Sequence, residues 1–212
     1  MTKLLFPQSK DILASLLKEN TLQGFLAPLK EHHPETYHHS VRVGVLCLDI
    51  GLELGLGQPE LTLLGYAGLL HDIGKLRIPE GILSKSSALS SQEREIMETH
   101  PRLGLLELDD KGFEVVRAVV VSHHEFKVNP YPRRGKDRRR GRHDQSGRRG
   151  GSALTARMGE IVAIADIYDA LSNRRAYKPA MPKDKVEEVL REQFTGDERL
   201  IESALRRCNA QG

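Results

Sequence analysis

Tryptophan is absent from the sequence, and cysteine occurs only twice, at Cys47 and Cys208. The two lie far apart and form no CxxC pair, which excludes a disulfide framework or a cysteine zinc site and points to a reducing compartment. Cys47 falls in an apolar helical stretch, where a small buried residue is the simplest reading. No apolar run approaches the roughly 20 residues that cross a bilayer, so no membrane span is expected. The segment from Met1 to Ser9 has only a short apolar patch ended by Pro7 and does not read as an export signal. The expected location is cytoplasmic. Aromatic residues make up 5% of the chain, so the core must be built mainly from Leu, Val and Ile. A chain of 212 residues is long enough to do so in one compact domain.

Excess positive charge is confined to one segment. Residues 133–149 hold nine Lys or Arg against two Asp, a net of +7. Subtracting that from the whole-chain +3 leaves −4 elsewhere, so the fold itself is mildly acidic. The run sits in a Pro- and Gly-containing stretch, residues 129–152, which reads as a flexible basic insertion. It has no interleaved aromatics, so base stacking and specific nucleic-acid binding are not expected. Mild electrostatic steering of an anionic substrate is compatible with it.

Hydrophobic periodicity predicts helices nearly throughout, an all-α fold. Residues 9–31 carry Ile12, Leu13, Leu16, Leu17, Leu22, Phe25 and Leu26 at helical spacing, as one helix or a pair. Pro34 can open the next, with Val41, Val45, Leu48 and Leu52 on one face through Leu54. Pro59 opens a helix that runs into His71-Asp72. Ser90 and Glu93 have capping-box spacing ahead of a helix expected to carry His100. Phe113 to Val121 is β-branched and by composition alone suggests a strand; its helical neighbours favour a helix. A long helix over 153–173 contains Asp166, and shorter ones follow near 183–194 and 197–207. Residues 1–33 are expected to be an N-terminal helical extension, and residues 34–212 the functional domain.

The densest chemistry is the run Leu70-His71-Asp72-Ile73-Gly74-Lys75, with His39 and His100 on either side, then His123-His124 and Asp166. Imidazoles and carboxylates together suit iron, manganese or zinc, and water shared by two such ions ionises near neutral pH. Adjacent residues on a regular helix point about 100° apart. His71-Asp72 and His123-His124 must therefore sit at shaped helix ends, and Gly74 permits a local adjustment there. Neighbouring ligands of this kind can serve two ions. Glu35 lies one turn before His39 on the same face. Any single histidine is more often a hydrogen-bonded core residue than a ligand; the joint pattern is what argues for a metal site. His32, His33, His38 and His143 have no partner pattern and read as surface residues. Asp169 reads as solvated or paired with an arginine.

From Glu35 to Leu200 the order and spacing of motifs resemble the HD superfamily of metal-dependent phosphohydrolases, in particular the HD-GYP subfamily of cyclic di-GMP phosphodiesterases. The match includes His39-Ser40-Val41-Arg42-Val43, Leu69 to Lys75, Ile78-Pro79, Ile82-Leu83, Lys85, His100-Pro101 and Gly104. It continues through His123-His124-Glu125, Ala163 to Asp166, Asp169-Ala170-Leu171, Arg175, Tyr177, Lys178 and Ala180. The subfamily's Gly-Tyr-Pro segment is represented by Pro130-Tyr131-Pro132, which keeps Tyr-Pro and departs from the pattern in having Pro130 for the glycine.

The resemblance implies an HD-type helical bundle with two or three divalent ions, Fe or Mn first. Ligands would be His39, His71, Asp72, His100, His123, His124 and Asp166, with Glu35 allowing a third ion. Asp72 and Lys75 would act at the reacting phosphoryl group, and Lys75, Arg175, Lys178 and Tyr131 would bind substrate. The implied substrate is cyclic di-GMP or a related cyclic dinucleotide. Two rivals stand beside this: an HD phosphohydrolase acting on another nucleotide, and a non-catalytic nucleotide-binding effector. The sequence does not set the oligomeric state.

Overall fold

A computed structural model describes residues 5–108, 112–131, 153–173 and 181–207. The basic run 133–149, Arg175, Lys178, His143 and Cys208 lie outside these residues. The described residues form eleven α-helices and no strand, the all-α fold expected. In chain order they are α1 Gln8–Leu16, α2 Asn20–His32, α3 Pro34–Glu53, α4 Gln58–Leu70, α5 Glu80–Leu83, α6 Ser91–Met97, α7 His100–Glu107, α8 Glu114–Ser122, α9 Ala153–Ser172, α10 Lys183–Gln193 and α11 Glu198–Arg206. A 3₁₀ turn, Ile73–Arg77, follows α4. No described helix is long and apolar enough to cross a membrane.

The sequence boundaries hold closely. Residues 9–31 are a pair of helices, and Pro34 opens α3. Phe113 to Val121 is helical despite its β-branched content, because Val116, Val119 and Val120 form a buried stripe of α8. One boundary differs. Ser90 and Glu93 do form a capping box, but on α6, which stops at Met97. His100 begins a separate helix, with Pro101 in its first turn. Pro101 has no N–H to give the Met97 carbonyl, and its ring would clash with that carbonyl inside a continuous helix.

One apolar core joins the bundle. Leu13 and Leu16 of α1, and Leu22, Leu26 and Leu29 of α2, are buried in it with the leucines and valines of α3, α4, α8 and α9. Cys47 is buried in it too. Helices α3 and α4 approach closely through small residues: a Cβ on Gly68 would lie 2.9 Å from the Gly44 Cα. That approach brings the His39 and His71 rings to 5.2 Å between centroids. A buried Arg207 beyond α11 reaches Asp49 of α3 at 2.7 Å, and Asp49 also accepts the backbone N–H groups of Leu5 and Phe6. Both ends of the described chain are thus fastened to the helix that carries His39.

Candidate metal centre

Three of the histidines are aimed by one local device. The last carbonyls of a helix have no partner within it. His71, capping α4, places Nδ1 2.8 Å from the Gly68 carbonyl. His123, capping α8, does the same to Val120 at 2.6 Å. His100 does it to Met97 at 2.8 Å, using the carbonyl that Pro101 leaves free. A carbonyl can only accept, so each Nδ1 carries the proton and each Nε2 presents a lone pair. His39 reaches the same state through a carboxylate: its Nδ1 donates to Asp169 Oδ2 at 2.7 Å. The 100° problem of adjacent ligands is solved by rings folded back on helix ends. Gly74 contributes by close approach and not by an unusual backbone angle. A Cβ there would lie 2.0 Å from the His100 carbonyl oxygen and 2.4 Å from the Gly104 nitrogen.

The lone pairs converge. His39, His71, Asp72, His100, His123, His124 and Asp166 are all buried, and their ligand atoms form three overlapping groups, each within 4.8 Å. The groups are His100–His123–His124, His39–His71–Asp166 and His71–Asp72–His123. His100 Nε2 and His123 Nε2 face each other at 3.4 Å. With both Nδ1 atoms protonated, two lone pairs oppose each other there with no proton between them. Ligand atoms held about 2.1 Å from one ion are themselves roughly 3 to 3.4 Å apart. Asp72 divides its oxygens, Oδ1 lying 3.2 Å from His100 Nε2 and Oδ2 3.4 Å from His71 Nε2. Asp166 Oδ1 is 3.2 Å from His39 Nε2. His71 Nε2 and His124 Nδ1 are buried and make no hydrogen bond. The donor set therefore fits divalent cations.

Protonation states agree with that fit. Burial holds His100 down to about 4, and burial with neighbouring imidazoles depresses His123 and His124 well below the ordinary histidine value. These rings are neutral at pH 7, as ligands must be. Burial works against the charged form of both carboxylates but is outweighed. Lys75, at 2.6 Å, holds Asp72 well below its ordinary value, and Lys127, at 3.0 Å, does so for Asp166. His39 is the exception. Burial lowers it, but hydrogen bonds to Asp166 and Asp169 outweigh that and raise it.

A cavity of about 300 Å³ opens beside the cluster, lined by His33, Glu35, His39, Arg42, Asp72, Lys75, His100, His124, Lys127, Tyr131 and Asp166 among others. Tyr131 stacks on His124 with centroids 4.3 Å apart, and burial pushes its phenol up, so it stays protonated. Glu35 lines the cavity but belongs to none of the three ligand groups.

Two surface assignments are corrected. His33 is buried, because its Nδ1 accepts the Thr36 N–H as the cap of α3. Asp169 is fully buried; it pairs with Arg42, as one reading allowed, and also orients His39. Its position three residues after Asp166, on the same face of α9, was the available signal. Arg42 lies inside the His39–Val43 motif without a role of its own there, and Lys127 lies in no motif.

Residues 36–171 match the HD domain family. The chain is 33% identical over 192 residues to a cyclic di-GMP phosphodiesterase of Thermotoga maritima, covering 88% of this chain and 46% of that protein. It is 35% identical over 174 residues to a cyclic di-GMP phosphodiesterase of Pseudomonas aeruginosa, covering 79% and 38%. A 3'3'-cGAMP-specific phosphodiesterase of Vibrio cholerae is 32% identical over 160 residues, covering 74% and 28%. The chain thus spans less than half the length of these curated relatives. Among solved structures, the HD domain of a Listeria monocytogenes phosphodiesterase in complex with cyclic-di-AMP superposes with a TM-score of 0.54 at 18% identity, covering 86% of this chain and 93% of that one. That likeness concerns the fold. With His71, Asp72, His100 and His123 gathered at helix ends and His39 and Asp166 brought to them from within α3 and α9, the chain belongs to the HD domain family, in its HD-GYP-like group.

Proposed function

We propose that the chain is a metal-dependent phosphodiesterase that hydrolyses a cyclic dinucleotide, with cyclic di-GMP the first candidate. The observation that carries this is the convergence of buried, proton-free imidazole nitrogens and two carboxylates beside a cavity that also presents Lys75 and Lys127. The relatives that act on cyclic di-GMP and 3'3'-cGAMP support the substrate class.

His39, His71, Asp72, His100, His123, His124 and Asp166 would hold two divalent ions, Fe or Mn first, with Asp72 offering one oxygen to each side of the cluster. Glu35 stands at the cavity where a third ion would need it. Bound ions would supply Lewis-acid polarisation of the phosphodiester and a nucleophilic water at neutral pH. Lys75 offsets negative charge that develops on the phosphoryl oxygens. Tyr131, neutral and stacked on His124, bounds the cavity and offers a donor to substrate. By the family resemblance Arg175 and Lys178 hold further phosphate oxygens. Hydrolysis adds water across one P–O bond, hydroxyl to phosphorus and proton to the leaving ribose oxygen, giving the linear dinucleotide. A second hydrolysis gives mononucleotides.

The test is metal analysis of anaerobically purified protein, followed by a panel of cyclic di-GMP, 3'3'-cGAMP, cyclic di-AMP and linear nucleotides with Mn²⁺- or Fe²⁺-loaded protein. Cyclic dinucleotide turnover that vanishes in His71→Ala and Asp72→Ala is the expected result. Turnover of linear nucleotides alone would move the chain to another HD phosphohydrolase activity. Tight binding without turnover would make it an effector.

A further inference from the structure

We propose that Lys127 is a second phosphate-binding cation of this cavity, held on Asp166 until a divalent ion takes over that carboxylate. The proposal rests on the phosphodiesterase reading above and adds a residue and an order of binding to it.

Lys127 lies three residues past His124, outside any helix, yet its backbone is firmly placed. It forms an isolated antiparallel bridge with the buried Phe194. On either side, the Val128 N–H donates to Gln193 at 3.1 Å and the Thr195 N–H to Phe126 at 2.9 Å. The side chain is 22% exposed, lines the cavity, and sets Nζ 3.0 Å from Asp166 Oδ2. Lys75 repeats the relation on the other ligand carboxylate, 17% exposed and 2.6 Å from Asp72 Oδ2. The two buried aspartates of the candidate ligand set, Asp72 and Asp166, thus have one lysine each.

A divalent ion on Asp166 competes for the same oxygens and repels the ammonium. The ion then compensates the carboxylate, and the lysine loses its reason to stay. Lysine is suited to such an exchange: a compact charge with rotatable donors on a flexible four-carbon stem, which can turn without backbone movement. The cavity then holds a freed cation on a fixed backbone. A cyclic dinucleotide carries two phosphodiesters. Lys75 serves the one at the ligand cluster, and a freed Lys127 sets a second cation in the same cavity for the other, beside the contacts that the resemblance assigns to Arg175 and Lys178. Substrate affinity should therefore depend on metal loading, part of it through Lys127.

The alternative is a structural ion pair that only ties residues 126–128 to α9 through Asp166. The backbone bonds already fix residues 126–128 against 193–195, and the two readings separate by experiment. Full-length wild type, Lys127→Gln and Lys127→Arg are titrated by calorimetry, first with Mn²⁺ alone. They are then titrated with the bis-phosphorothioate analogue of cyclic di-GMP, with and without Mn²⁺. Lys127→Met, which keeps the apolar stem, replaces the Gln variant if that one does not fold. The expected result for Lys127→Gln is Mn²⁺ affinity equal to or tighter than wild type, because a competing cation is gone. Its affinity for the analogue in Mn²⁺ should fall about tenfold, with Lys127→Arg near wild type. Undiminished analogue binding in Lys127→Gln overturns the proposal while leaving the phosphodiesterase reading intact. Weakened Mn²⁺ binding with unchanged analogue binding makes Lys127 a support for Asp166 and also overturns it. Wild type that binds neither Mn²⁺ nor the analogue overturns both readings together.

Discussion

Asp169→Asn is the most discriminating single substitution, because it changes no shape and touches no candidate ligand atom. In the native protein Oδ2 accepts from His39 Nδ1 at 2.7 Å and Arg42 Nη2 at 3.0 Å. Oδ1 accepts from Arg42 Nε at 2.8 Å and Asn173 Nδ2 at 2.8 Å. Every partner is a donor. An asparagine must put its NH₂ on one side or the other, so each orientation sets a donor against donors and loses two bonds, one of them to arginine. If the NH₂ faces His39, that ring must shed its Nδ1 proton and carry it on Nε2, and the lone pair leaves the metal cluster.

Groups that orient a metal-bound histidine are worth about 10- to 100-fold in metal affinity. That corresponds to about 1.4 to 2.7 kcal/mol. Hydrogen bonds to charged groups contribute about 1.5–3 kcal/mol each. Arg42, 36% exposed, recovers part of its loss from water. We expect a net destabilisation of about 2 kcal/mol, a fall in Tm of roughly 4–8 °C for a domain of this size. The assay is Mn²⁺ titration by calorimetry beside a thermal melt of the metal-free protein. A variant that melts early but binds Mn²⁺ like wild type would refute the orienting role of Asp169. Wild-type behaviour in both would refute the buried network itself.

Gly74→Ala forces a methyl against two backbone atoms of α7, which cannot turn aside. It should cost about 3 kcal/mol or more in urea denaturation and lower metal occupancy at His100; a cost under about 1 kcal/mol would mean that α7 does not press on this turn. Arg207→Met strips the buried Asp49 of its cation and should destabilise by about 3–5 kcal/mol, with wild-type metal stoichiometry in whatever remains folded. For Glu35→Ala, metal analysis should find up to one ion fewer with the rest retained; an unchanged count removes Glu35 from the ligand set. The pH dependence of metal-free stability follows from His100. Its folded value of about 4 lies below the unfolded 6.5, so the unfolded chain binds more protons between them. Stability should fall as pH drops from 6.5 toward 4, with His123 and His124 acting in the same direction. Equal urea midpoints at pH 7 and 4.5 would contradict a neutral imidazole cluster.

Helix positions were legible because hydrophobic periodicity and proline or capping signals coincide along this chain, as at Pro34 and Ser90. The candidate ligand residues stand out in the sequence for a different reason: a motif fixes residue types in order, and order survives without geometry. What was not legible depends on contacts across long sequence separation. Asp169 meets His39 across 130 residues, and its burial cannot be read from a pattern that also suits a solvated carboxylate. Lys127 needs both the bridge to Phe194 and the proximity of Asp166 before its charge has meaning. The break before His100 is the instructive middle case. The Ser90–Glu93 capping box announced one helix expected to carry His100, and Pro101, which cannot continue it, splits that stretch into two helices. The proline that ends α6 is also what frees the Met97 carbonyl to hold the His100 ring. A residue that looks like punctuation in the sequence therefore orients a candidate ligand in the structure. The same holds for Gly74, whose missing side chain lets α7 close onto the His-Asp turn. In this chain the site is assembled less by its ligands than by the helix ends that aim them.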